Sequence, residues 1–200
     1  MKSVVLISGG IDSTTCLWMA RMFGPVTGLT VDYGQHAAEV ERRTSAMFCS
    51  SIGASHRHID IKGVGGIAQS ALTSAGDASV ASNATVPGRN ALLVSLGAAL
   101  AKTVHADTVW IGCNKTDGEN FADCSSAFLS ALSDALKVGY DLKLQSPLLN
   151  LTKTDVVKTA MKLGVPIGAT SSCYYGTKCE KCSACLISAK ALVAALEAAP

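Results

Sequence analysis

The sequence predicts an α/β fold, a Rossmann-like parallel sheet flanked by helices, and three observations lead there. Apolar blocks recur at roughly thirty-residue spacing with helical segments between them, the rhythm of successive βα units. A glycine pair follows the first block directly and leads into a helix. No repeat is visible, and no low-complexity linker splits the chain. Right-handed crossovers in such a fold bring the strands' carboxyl ends to one edge, where ligands bind.

Val4, Val5, Leu6 and Ile7 form a short β-branched strand, and residues 14–23 read as the helix after it. Between them runs Ser8-Gly9-Gly10-Ile11-Asp12-Ser13. Gly9 and Gly10 let the backbone turn tightly and approach a ligand with no Cβ in the way. The free N–H groups and positive dipole end of the helix then face an anion. Asp12 and Ser13 fall in the first turn, and the hydroxyls of Ser8, Ser13, Thr14 and Thr15 are expected to add donors. No Lys-Ser or Lys-Thr follows the glycines, which excludes a Walker-type loop, and no third glycine is spaced for a dinucleotide crevice.

A second strand is expected over residues 26–31, running into Asp32-Tyr33-Gly34-Gln35, then a helix over 39–51 closed by Gly53 and a third strand over 56–61. Residues 62–85 are rich in Gly, Ser and Ala, lack periodicity and are too long for a routine connection, which predicts a mobile loop or lid. Pro87-Gly88-Arg89-Asn90 opens a helix over 91–102 that is apolar almost all round, which predicts burial. A fourth strand over 108–111, a polar loop over 112–123 before Cys124, and a helix over 125–137 follow. A short fifth strand over 142–144 and a helix over 152–163 complete the α/β part. We read 1–165 as an α/β unit that carries the glycine loop and 166–200 as a small C-terminal element packed on it, with a last helix over 186–196.

Hydrophobic residues make up 48% of the 200 and charged residues 16%, which fits one packed core and not a disordered chain. A net charge of +2 and 5% aromatic residues leave neither an electrostatic footprint nor a stacking platform for nucleic acid, so none is expected as a partner. The first apolar run is too short for a signal-peptide core. The longest, residues 91–101, is about half of the ~20 residues needed to span a bilayer, so a cytoplasmic protein without a membrane partner is expected.

Eight cysteines in a reducing compartment point to thiols and metal, not disulfides. Cys173, Cys179, Cys182 and Cys185 are crowded near the C-terminus with gaps of five, two and two residues. Zinc takes four sulfurs in a tetrahedron, and two-residue gaps let cysteines wrap one ion. A ferredoxin-like run would need a further cysteine where Ala189 stands, so one structural zinc per chain is favoured over an iron–sulfur cluster. Cys16, Cys49, Cys113 and Cys124 read as small core residues.

The six residues from Ser8 resemble the PP-loop of ATP pyrophosphatases, which hold pyrophosphate while AMP is transferred. With Asp32-Tyr33-Gly34-Gln35, Val86-Pro87-Gly88-Arg89-Asn90, Asp123-Cys124, Ser146-Pro147-Leu148-Leu149, Leu151-Thr152-Lys153 and the cysteine cluster in this order, the chain from Val4 to about Leu192 resembles the 7-cyano-7-deazaguanine synthases. The resemblance implies an adenine nucleotide α-hydrolase-like fold and a homodimer. It also implies ATP, Mg2+ and Zn2+, and conversion of 7-carboxy-7-deazaguanine and ammonia to a nitrile through an adenylate and an amide. It carries the ATP site onto Ile7, Ser8, Gly9, Gly10, Ile11, Asp12, Ser13, Thr14, Thr15, Cys16 and Leu17, with Ser8, Asp12, Ser13, Arg89 and Lys153 as the catalytic set. Tyr33, Gln35, Arg89, Asn90, Asp117, Phe121 and Asp123 are the candidates for substrate contact.

Residue chemistry supports parts of that assignment. Arg89 could clamp a carboxylate or a phosphate with two parallel hydrogen bonds. Asp117 or Asp123 is available to accept from a guanine-like edge, and Tyr33 and Phe121 could stack on a ring. His36 reads as a helix-start cap. The chain departs from the family in its short gap between Cys173 and Cys179, in His36-Ala37, in Glu119-Asn120-Phe121-Ala122 and in Leu186-Ile187-Ser188. One alternative is a related ligase that stops at the amide or activates another acid. Another is a PP-loop enzyme acting on a tRNA base, which predicts a basic face and a cysteine pair in the site.

Overall fold

Val4 and Val5 are fully buried because β1 (Ser3–Leu6) is the middle strand of a five-stranded parallel sheet, ordered β3-β2-β1-β4-β5. The structure, a computed structural model, describes residues 1–68, 70–74 and 76–198; residues 69 and 75 of the expected loop and 199–200 of the expected C-terminal element lie outside the described residues. β2 (Val26–Asp32) and β4 (Thr108–Trp110) flank β1, with Val5 opposite Gly28 on one side and Trp110 on the other. β3 (Ser55–Asp60) and β5 (Lys143–Gln145) form the edges, and β3 blunts its edge with the exposed Arg57 and His58.

The two-residue strand period sends Val4 and Leu6 to one face of the sheet and Val5 and Ile7 to the other. On the first face they meet Val94, Ala98 and Ala101 of α4 (Arg89–Thr103) and Leu129 and Leu136 of α6 (Ser126–Tyr140). On the second they meet Cys16, Leu17 and Ala20 of α1 (Ile11–Arg21), Phe48 and Cys49 of α2 (Ala38–Ser51) and Val156 of α7 (Lys153–Lys162). Both faces are covered, as a parallel sheet requires. The chain leaves β1 toward β2 on one side and returns through β4 on the other. That reversal opens a crevice past the carboxyl ends of β1 and β4, the position where doubly wound sheets bind ligands.

Several expectations are corrected. α4 buries one face only: Val94, Gly97, Ala98 and Ala101 are covered while Ser95, Ala99 and Lys102 are exposed, since it has a sheet beneath it and solvent above. The polar loop over 112–123 contains a helix, α5 (Lys115–Asn120), because Asn114 accepts from the Asp117 N–H and Asp117 accepts from the Asn114 N–H in a capping box. The described residues of 62–85 are partly packed on the rest of the chain. They hold α3 (Gly63–Ile67) and a 3₁₀ turn (Ala81–Ala84), and Leu72 and Ala84 pack with Tyr33 and Val86 while Ala71 and Ala78 pack with Cys173 and Cys182. The last helix, α8 (Ser183–Glu197), starts inside the cysteine cluster and packs Ala191 and Ala195 on Val157 and Ala160 of α7. No helix among the described residues is long and apolar enough to cross a membrane.

Candidate active site

From β1 the chain turns through Ser8, Gly9 and Gly10 into α1. Gly9 has φ +75°, and a Cβ there would lie 2.7 Å from Cγ2 of Thr44 on α2, so both conformation and space require glycine. The Ser8 N–H donates to Ser13 Oγ at 3.2 Å, and Ser13 Oγ donates to the Gly10 carbonyl at 3.1 Å. The two serine oxygens lie 3.1 Å apart. No side chain of the N-cap residue, Gly10, caps α1, which leaves the dipole end of the helix facing the crevice. From β4, Gly112 presses on the same turn, where a Cβ would come within 3.0 Å of the Ser13 nitrogen. The cysteine-bearing segment closes the loop from a third side. Its Ser171 N–H donates to the Gly9 carbonyl at 2.9 Å, and Ser172 Oγ accepts from the Ile11 N–H at 3.4 Å.

Asp12 anchors the wall beside the loop. Its carboxylate accepts from Asn114 Nδ2 at 3.0 Å and from the Lys153 ammonium, and that ion pair is largely buried. Lys153 is the first residue of α7, where the helix dipole opposes a cation. Burial also opposes its charge, but Asp12 and Asp117 outweigh both and hold its pKa above the ordinary lysine value. Asp117 is pushed up to about 6, by burial first and by the Asp12 charge second.

Across the crevice stands Arg89, at the start of α4. Burial works against its charge, yet the neighbouring Tyr33, Asp123 and Cys124 together keep the guanidinium's pKa above its ordinary value. Gln35 is locked: its Oε1 accepts from the Tyr33 N–H at 2.9 Å, and its Nε2 donates to the Val31 carbonyl at 3.0 Å and to Glu41 Oε2 at 2.8 Å. Burial pushes the Glu41 carboxyl up to about 7, against the lowering effects of Gln35 and Arg89. Loop, Asp12–Lys153 wall and Arg89 side together enclose a cleft of ≈ 290 Å³.

The four C-terminal cysteines converge, with sulfurs all within 4.8 Å of one another. Zn–S bonds are about 2.3 Å, so four soft sulfur donors at this separation fit one tetrahedral ion. Cys182 N–H donates to Cys179 Sγ at 3.3 Å and is the first cause of a Cys179 pKa drawn down to about 6, while burial pushes the Cys173 and Cys182 thiols up. Cys173, Tyr174 and Ser183 also line the cleft, so the cysteine cluster forms one of its walls.

Of the residues singled out in the sequence, Ile7, Ser8, Gly10, Asp12, Ser13, Tyr33, Gln35, Arg89, Asn90, Asp117, Phe121 and Lys153 line this cleft. Thr14 and Thr15 do not offer hydroxyls to it. Both are fully buried, and Thr15 Oγ1 donates back to the Ile11 carbonyl at 2.6 Å. Cys16 and Leu17 belong to the core beneath, and Ile11 packs with α7 and α8. Asp123 does not line the cleft; its carbonyl accepts from Asn90 Nδ2 at 3.1 Å. His36 caps nothing; its ring stacks on Tyr175, centroids 6.0 Å apart, and its Nε2 lies 3.2 Å from the Ser74 carbonyl. Cys113 and Cys124 meet in the cleft as a second close pair of thiols, so the four zinc-type cysteines are not the chain's only neighbouring ones. Glu41, Gly112, Asn114, Ser171 and Ser172 escaped the sequence reading; only Asn114 carried a local signal, the Asn-x-x-Asp capping pattern.

Residues 2–196 match the profile of a family described as "Queuosine biosynthesis protein QueC". The 7-cyano-7-deazaguanine synthase of Anaeromyxobacter dehalogenans (strain 2CP-C) is 37% identical, over 94% of this chain and 90% of that protein. The enzyme of the same name from Thermoplasma acidophilum is 33% identical, over 97% of this chain and 88% of that one. Among solved structures, an NH3-dependent NAD synthetase from Campylobacter jejuni superposes with a TM-score of 0.54 at 18% identity, covering 84% of this chain and 66% of that one. An NMN synthetase from Francisella tularensis gives 0.52 at 17% identity, covering 84% and 63%. At such identities the structures establish a shared fold. The family match runs nearly end to end, with full-length relatives a third identical, and the chain therefore belongs to the QueC family, the 7-cyano-7-deazaguanine synthases.

Proposed function

We propose that the protein is an ATP-dependent 7-cyano-7-deazaguanine synthase. It converts 7-carboxy-7-deazaguanine and ammonia to the nitrile by way of an acyl adenylate and an amide. The observation that carries this reading is the crevice at the β1–β4 reversal: a helix N-terminus whose own N-cap residue, Gly10, supplies no cap, with a glycine cradle on one side and the Arg89 cation on the other. A carboxylate is a poor electrophile, and AMP transfer makes it reactive. Ser8, Ser13 and the first turn of α1 would hold the departing pyrophosphate, where preorganised donors stabilise developing charge. Lys153, kept cationic by Asp12, adds positive charge to the same side. Arg89 would grip the acid and present it to the α-phosphate. Magnesium bound with ATP would neutralise phosphate charge.

Zinc on Cys173, Cys179, Cys182 and Cys185 is read as structural, because four sulfurs leave no position for water. We read 1–165 and 166–200 as the catalytic part and its clasp. The tRNA-base alternative needs a reactive cysteine. Cys113 does not supply one, since its hydrogen bond with Cys124 and its burial hold the thiol protonated. A homodimer follows from the resemblance, and the exposed Leu186, Val193 and Leu196 of α8 offer an apolar face for a second copy. Mass spectrometry of the product from 7-carboxy-7-deazaguanine, ammonium and Mg-ATP tests the reading: a nitrile with AMP and pyrophosphate is expected, and an amide as end product or no product refutes it.

A further inference from the structure

Three carboxylic acids line the cleft, and two are already committed. Asp12 is held by Lys153 and Asn114, and Asp117 caps the Asn114 N–H at 3.2 Å while facing Lys153. Glu41 is the third. It has no ion-pair partner among the described residues, and its one hydrogen bond is from the locked Gln35 amide, which fixes Oε2 and leaves Oε1 free.

Its position follows from helix geometry. Glu41 lies three and four residues before Thr44 and Ser45, hence on the same face of α2, about 5 Å along the axis. Thr44 abuts Gly9 of the phosphate loop, and Ser45 Oγ donates to the Ile7 carbonyl at 3.2 Å. The Arg89 charge also acts on Glu41, and both residues line the cleft. The carboxyl thus neighbours both the loop read as the phosphate cradle and the cation read as the substrate clamp.

We infer that Glu41 binds ammonium in the cleft and deprotonates it for attack on the activated acid. This rests on the function proposed above. One proton passes from ammonium to the Glu41 carboxylate, and the nitrogen lone pair attacks the acyl carbon. The bond from that carbon to the AMP oxygen breaks with its electron pair on AMP, and the second nitrogen proton leaves to solvent, giving the amide. A half-buried carboxyl raised toward neutrality suits a general base, which works best near the ambient pH. The groups facing it are Arg89 from α4, Asp32 from β2 and Tyr33 and Gln35 from the turn after β2. Asp32 is itself paired with Lys62 at 3.3 Å and accepts from the Gly34 N–H at 3.0 Å.

Glu41→Gln keeps the size and the acceptor for Gln35 and removes the base. Acid-dependent ATP–pyrophosphate exchange without ammonium reports adenylation alone and also verifies folding. The variant should keep this exchange while its kcat/KM for ammonium at neutral pH falls by about 10²-fold, and the deficit should shrink as alkaline pH supplies free ammonia. Glu41→Asp, which keeps a carboxyl, should lie between the two. An unchanged ammonium dependence, a deficit that does not respond to pH, or loss of exchange in parallel with overall turnover overturns the inference. Wild-type protein that shows no exchange at all overturns the proposed function instead.

Discussion

Removing the metal from the four cysteines should weaken ATP binding, although no cysteine belongs to the phosphate loop. The coupling runs through two residues next to Cys173. Ser171 N–H holds the Gly9 carbonyl at 2.9 Å, and Ser172 Oγ accepts from the Ile11 N–H at 3.4 Å. Each bond contributes about 1 kcal/mol net, so losing both costs about 2 kcal/mol of loop organisation. That corresponds to roughly a 30-fold rise in the Kd for ATP. Isothermal titration of metal-loaded and chelator-treated protein measures it, with far-UV circular dichroism verifying that the sheet survives. Ser172→Ala isolates one bond without touching the metal and should raise Kd about fivefold. Chelated protein that keeps its secondary structure and binds ATP as tightly as the loaded form would refute the coupling. So would a Ser172→Ala variant indistinguishable from wild type.

Ser13→Ala should lower kcat by about 10²–10³-fold with metal content unchanged, as loss of one preorganised donor does, and steady-state kinetics with metal analysis checks both halves. Asp12→Ala strands Lys153 in a largely buried position, so urea unfolding should show a loss of about 3 kcal/mol that Lys153→Met in the same chain largely restores. Glu41 also predicts a pH effect on stability. Its folded pKa of about 7 lies above the usual 4.5, so the native state binds the extra proton and stability is lost as pH rises across that window. Glu41→Gln lacks this loss, and its stability relative to wild type should increase between about pH 4 and 8 by up to about 3 kcal/mol, measured by denaturant midpoints. The proposed homodimer is tested by Val193→Glu on the exposed face of α8, which should lower the mass seen in analytical ultracentrifugation from dimer to monomer while leaving ATP affinity intact.

What could be read in advance was what lies contiguously in the chain. Ser8 to Ser13 announces itself because strand, turn and helix dipole are adjacent in sequence, and the cysteines because their ligand spacing is local. The alternation of buried Val4 and Leu6 with Val5 and Ile7 likewise belongs to one strand. Glu41 and Ser172 carry no such mark. Each gains its role only when α2 or the cysteine segment is folded against Gly9 and Ile11, and that contact is decided by topology. Residues 62–85 were misleading for another reason. Ala71 and Ala78 bury against Cys173 and Cys182, but small residues packed on a metal-type cluster produce no hydrophobic period. The consequence is mechanistic as well as predictive. The segment expected to move freely is fastened to the cysteine cluster, and the cluster is fastened to the phosphate loop through Ser171 and Ser172. His36 N–H donates to the Leu72 carbonyl at 2.9 Å, which ties the same segment to the turn that carries Tyr33 and Gln35. A change of state at the four cysteines would therefore reach the phosphate side and the acid side of the cleft together, through packing and hydrogen bonds that none of the cleft's own charged residues makes.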